Sequence, residues 1–212
     1  LTTSLSGGKA VPAAQTPPAP DDGAIRPRGR ALAVLAITGV LAVCLDLLTK
    51  QLSLTYLSDG HFVRLLGGLV YLDLTRNSGA AFSIGAGYTM IFPLITVIVV
   101  TGIVWLARRL RSLPWGLAMG LVLGGAMGNF IDRLFRAPGP FRGHVVDFIS
   151  MFAKNGEVFA IFNVADSCLF CGVVLAILLE FSGRRRDGTR VSTDKKRDGV
   201  GASPDKTSDG VA

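Results

Sequence analysis

The chain has 212 residues, half of them hydrophobic, and a formal net charge of +7. A mean hydropathy of +0.48 is too apolar for an ordinary soluble domain. The basic residues flank apolar blocks instead of forming an accessible basic and aromatic face, which argues for membrane orientation and against a nucleic-acid partner.

Residues 1–30 are rich in Pro, Ala, Gly and Thr, show no periodicity and end in Arg26, Arg28 and Arg30, so this segment is expected to be disordered. The first apolar block runs from Ala31 to about Leu48 and is interrupted only by Asp46. A loop over 51–87 follows. In it Val70, Leu72 and Leu74 alternate with Tyr71, Asp73 and Thr75, which predicts a strand, and Asn77-Ser-Gly79 predicts a turn.

The second block, from about Tyr88 to Ala107, carries no charge, and Arg108, Arg109 and Arg111 crowd the short link after it. The third, Trp115 to Ile131, holds Gly116, Gly120, Gly124 and Gly128, a ladder that lets another helix approach closely. A Pro/Gly-rich stretch then leads to an extended-looking run, His144 to Ile149. The fourth block, about Val158 to Leu179, contains one charge, Asp166. From Arg184 onward the chain is charged and poor in apolar residues, and disorder is expected again.

Each block is close to the roughly 20 residues that cross a bilayer, and in lipid such segments must be helical. The expectation is a mainly α membrane protein: a four-transmembrane-helix bundle over 31–183 with a small extracytoplasmic β-sheet, between polar tails 1–30 and 184–212. Four spans put all three arginine clusters on one side, which the positive-inside rule makes cytoplasmic. Arg64, Arg76, Arg133, Arg136, Arg142 and Lys154 fall on the other side, more dispersed.

Ionisable groups near hydrocarbon are functional candidates. Asp46 and Lys50, placed at the end of the first helix, read as an i, i+4 ion pair. Asn129, Asp132 and Arg133 share a face at the end of the third. Asn163 and Asp166 open the fourth, and Asn77 follows the strand. Asp147 and Asp166 sit among apolar residues with no basic neighbour in sequence. If the two face each other, a second negative charge is disfavoured and one shared proton results, as in aspartic proteases. An ion- or proton-coupled carrier also uses intramembrane carboxylates, so spacing alone leaves both readings open. Cys168 and Cys171 read as packing residues, His61 and His144 stand alone, and neither a metal nor a cofactor is expected.

Five stretches resemble the motifs of type II (lipoprotein) signal peptidases. They are Asp46-Leu-Leu-Thr-Lys50, Asn77-Ser-Gly-Ala-Ala-Phe82, Gly128-Asn-Phe-Ile-Asp-Arg133, Val145-Val-Asp-Phe148 and Phe162-Asn-Val-Ala-Asp166. They occur in the family's order, and the similarity covers roughly residues 32–181. The resemblance implies a membrane-embedded aspartic endopeptidase whose partners are membrane lipid and prolipoprotein substrates carrying diacylglyceryl-cysteine, cut just before that cysteine. It makes Asp147 and Asp166 the catalytic pair. Asn77, Asn129, Arg133 and Asn163 become positioning residues, Asp46, Lys50 and Asp132 a supporting network, and Gly79 and Ala80 a backbone close to substrate. One departure is an Ala-Pro-Gly-Pro-Phe-Arg segment that lengthens the link between Arg133 and Asp147.

Overall fold

The computed structural model describes residues 28–79 and 91–190. In chain order it contains α1 (Arg28–Tyr56), β1 (Val63–Leu65), β2 (Val70–Asn77), α2 (Ile91–Ala107), α3 (Leu113–Phe135), β3 (Val145–Met151) and α4 (Val164–Phe181). The fold is mainly helical, with one three-stranded sheet.

The helices are apolar outward. On α1, Ile37, Leu41, Leu45 and Leu48 are exposed while Asp46 and Lys50 are fully buried. That inversion is stable only where the surroundings are themselves apolar, as in lipid. By length and composition α1, α3 and α4 can each cross a membrane. Helix α2 is shorter over its described part, and Tyr88 to Met90, where its span was expected to begin, lie outside the described residues.

Helix α3 is central because its glycines remove side chains where neighbours approach. A Cβ on Gly116 would lie 2.6 Å from the Ala31 carbonyl oxygen, and one on Gly120 2.7 Å from that of Leu35. These contacts rise together along both helices, so α1 and α3 run parallel. Gly128 faces Ala165 and Gly172 faces Ala118, so α4 runs antiparallel to α3. At Gly124 a Cβ would sit 2.5 Å from the Ala42 Cβ. Gly124→Val is therefore expected to push α1 off α3 and cost about 1–3 kcal/mol, read as a lowered melting temperature in detergent. A wild-type melting temperature would remove the ladder from the account.

The sheet order is β1-β2-β3, antiparallel throughout. An irregularity between Leu72 and Thr75 re-registers the central strand, bringing Thr75 opposite Asp147 and Asn77 opposite Val145. The approach to α4 is fastened by a bridge between Ile149 and Phe162.

Several boundaries differ from the sequence expectation. Helix α1 begins at Arg28 and continues to Tyr56, so Asp46 and Lys50 lie inside it instead of ending it. Burial of the pair between helices removes the reason to stop there. Helix α4 begins only at Val164, since Asn163 is its N-cap and 158–163 form its approach. Residues 184–190, expected to be disordered, form a turn closed by a bridge from Arg184 to Arg190. The remaining tail residues, 1–27 and 191–212, lie outside the described residues.

Candidate active site

The start of α4 and the middle of β3 meet under the sheet. Asn163 caps α4 in a reciprocal box: its Oδ1 accepts from the Asp166 N–H at 2.9 Å, and Asp166 Oδ2 accepts from the Asn163 N–H at 3.1 Å. The Asn163 Nδ2 also donates to Asp147 Oδ1 at 2.6 Å. One asparagine thus touches both carboxylates that were singled out in sequence.

Each carboxylate has a second amide partner. Asn77 Nδ2 donates to Asp147 Oδ2 at 2.9 Å, while Asn77 Oδ1 accepts from the Gly79 N–H at 2.9 Å. The expected turn after β2 is therefore what aims Asn77. Asn129 Nδ2 donates to Asp166 Oδ1 at 2.7 Å. Asn129 Oδ1 accepts from Asn163 Nδ2 at 3.1 Å and from Lys50 Nζ at 3.0 Å.

Lys50 anchors the layer beneath. Its ammonium forms ion pairs with Asp46 Oδ2 at 2.7 Å and Asp132 Oδ2 at 2.9 Å and donates to Asn129 Oδ1. Asp46 Oδ1 accepts from the Ala165 N–H at 2.9 Å, and Asp132 Oδ2 from the Val146 N–H at 3.2 Å. This buried network joins α1, α3, β3 and α4. Arg136, read in sequence only as an outer-side charge, pairs with Asp132 Oδ1. Its i, i+4 spacing from Asp132 was the available signal.

Arg133 Nη2 donates to the Gly79 carbonyl at 2.6 Å, and its guanidinium lies 4.3 Å from the Phe92 ring centroid. Its other terminal nitrogen, Nη1, is buried without a partner among the described residues. Nothing in the sequence singled out Phe92. Ala80 lies outside the described residues. The longer link before β3 is tied back to the end of α3: the Gly143 N–H bonds the Arg133 carbonyl and the His144 N–H that of Ala137.

A cavity of about 850 Å³ opens from this cluster between α2 and α4. Both carboxylates, Asn77, Gly79, Asn129 and Arg133 line it together with apolar residues such as Ile95, Val99 and Phe170. Asp147 is 2% exposed. Burial first, then the charge of Asp166, pushes its carboxyl up to about 7, against hydrogen bonds from Asn77 and Asn163 and the attraction of Lys50.

Residues 38–182 match the family model described as signal peptidase (SPase) II. The chain belongs to the signal peptidase II family. The lipoprotein signal peptidase of Rhodococcus jostii is 47% identical over 78% of this chain and 81% of that one. That of Mycobacterium tuberculosis is 43% identical over 86% and 82%. A solved bacterial membrane enzyme superposes with a TM-score of 0.61 at 32% identity, covering 76% of this chain and 95% of that one. Signal peptidase II membership makes the chain a bacterial membrane protease, and the carrier reading falls away.

Proposed function

We propose that the protein removes signal peptides from prolipoproteins by activating water between Asp147 and Asp166. The observation that carries this reading is the pair of carboxylates, one on β3 and one on α4, joined through Asn163 at the mouth of an apolar cavity. The raised pKa of Asp147 keeps a proton in the pair near neutral pH. The ionised carboxylate takes a proton from water, and the oxygen attacks the peptide carbonyl. The protonated carboxyl donates to the carbonyl oxygen, and a proton then passes to the leaving amine as the C–N bond breaks.

The polar shell fits the substrate's demands. Arg133 and the Gly79 turn border the cavity and suit an extended peptide backbone, and the apolar walls of α2 and α4 suit the acyl chains of diacylglyceryl-cysteine. The cut falls just before that cysteine. In this reading α2 is the fourth span, the sheet and the pair lie at the extracytoplasmic face, and both termini are cytoplasmic. The arginine clusters at the start of α1, between α2 and α3, and after α4 support that orientation.

The test is to incubate the purified chain with a diacylglyceryl-modified prolipoprotein, with and without hydroxylamine, and weigh the products. The expected products are a signal peptide ending in a free carboxylate and a lipidated cysteine with a free amine. A hydroxamate would reveal an acyl-enzyme and overturn the water mechanism, and no cleavage by well-folded protein would overturn the function.

The pH profile follows from Asp147. Below about 7 the pair retains its proton, and above it the second carboxyl ionises and the acid is lost. Hydrolysis, measured as kcat/KM, is therefore expected to fall on the alkaline side with an apparent pKa near 7, a value belonging to the pair. A profile flat from neutrality to well into the alkaline range would contradict it.

A further inference from the structure

At the end of the bundle opposite the carboxylates, residues 184–190 fold back onto the link between α2 and α3. The Arg111 and Ser112 N–H groups both donate to the Arg186 carbonyl, at 2.9 and 3.1 Å. Trp115 Nε1 donates to the Arg184 carbonyl at 2.8 Å, and the Arg186 guanidinium lies 5.5 Å from the Trp115 ring centroid. The turn is closed by the Arg185 N–H on the Thr189 carbonyl at 2.9 Å. Gly188, at φ +89°, faces the Arg111 Cβ. The backbone of this turn is thus spent on holding the link, and its arginine side chains are left outward: Arg111, Arg185 and Arg190 are exposed and Arg186 is half-buried.

Among the described residues those side chains form no ion pair: the ion pairs all lie in the buried network around Lys50 and Asp132. The one acid in the turn, Asp187, accepts at Oδ1 from the Thr189 N–H at 3.0 Å and hydroxyl at 2.7 Å and feels the charge of Arg185, so one carboxylate stands against four arginines. Immediately before the arginines, Phe181 on α4 and Trp105 on α2 are 88% and 65% exposed. The apolar belt therefore ends where the guanidinium groups begin, the depth at which a phospholipid carries its phosphate.

We propose that this turn and the α2–α3 link form a binding site for the headgroup of an anionic phospholipid. Arg111, Arg185, Arg186 and Arg190 supply the cationic donors, and the apolar ends of α2 and α4 receive the acyl chains. The belt beside the arginines favours a lipid over a free phosphate, which has nothing to place there. Occupancy ties the far ends of the two helices that flank the catalytic cavity, and it is independent of the proteolytic reading.

The test places the full chain in phosphatidylcholine nanodiscs with or without roughly one third phosphatidylglycerol. Lipid retention is read by native mass spectrometry and stability by thermal unfolding. Wild type should retain phosphatidylglycerol preferentially and melt higher with it. Each of Arg185→Gln, Arg186→Gln and Arg190→Gln should weaken retention about fivefold, and the triple variant should lose the preference. The Arg76→Gln/Arg142→Gln pair, on the other side, should change nothing. Equal retention of the two lipids by wild type would overturn the site, as would an equal loss in the control pair. So would full displacement of the lipid by inorganic phosphate. If the triple variant melts early even in phosphatidylcholine, the single Arg190→Gln variant and the wild-type lipid preference still decide.

Discussion

Asp147→Asn and Asp166→Asn should each reduce signal-peptide release by about a thousandfold or more, the scale of a lost general acid or base. The double variant should be no slower than either single one, because neither carboxyl has a task without the other. Folding should survive. Asn at 147 removes a buried carboxyl whose ionisation the site already opposes. Asn at 166 keeps an acceptor oxygen for the capping box of α4. The measurement is single-turnover cleavage beside a melting curve for each variant. Either Asn variant cleaving within tenfold of wild type would remove that residue from the chemistry.

Lys50→Met should be the most destabilising change in the bundle. The side chain it replaces is fully buried and holds Asp46 and Asp132, which are 0% and 1% exposed. Removing it leaves the buried Asp46 carboxylate without a counter-charge and Asp132 with Arg136 alone, at about 3–5 kcal/mol. Asn129 would also lose one of the two donors to its oxygen, keeping only Asn163 Nδ2, so its amide would be held less firmly toward Asp166. Neutralising the acids as well, with Asp46→Asn and Asp132→Asn, should recover much of the melting temperature. It should recover less of the activity, because Asn129 still lacks the ammonium that helps Asn163 orient it. If Lys50→Met alone melts like wild type, the ammonium is not holding the network.

The carboxylates were legible in sequence because charge is rare in apolar blocks, and its spacing there is conspicuous. Asp147 and Asp166 stood out this way, as did the Asn163–Asp166 box, which is a local i, i+3 relation. Strand β2 and the turn at Asn77 were legible from alternation and turn chemistry. What escaped was set by partners far away in the chain. The end of α1 was misjudged because Asp46 and Lys50 looked like a boundary. Their burial depends on Asp132 and Ala165, invisible from positions 46 and 50. Strand β1 has three residues, all exposed, and no alternation to betray it. The turn after α4 is polar, and its order comes from Trp115 and the α2–α3 link.

The glycine ladder of α3 repeats every four residues, so along it one rung resembles the next. Two helices that meet only through such rungs have no strong reason to prefer one alignment over another displaced by about 6 Å. The buried ions remove that ambiguity. A slip of one rung would carry Lys50 away from Asp132 and Asn129 and strand it in an apolar interior. The charged cluster therefore acts as a vernier stop on a sliding contact. It fixes the height of α1 against α3, and through Asn129 it fixes where Asp166, and with it Asp147, stands along the bundle.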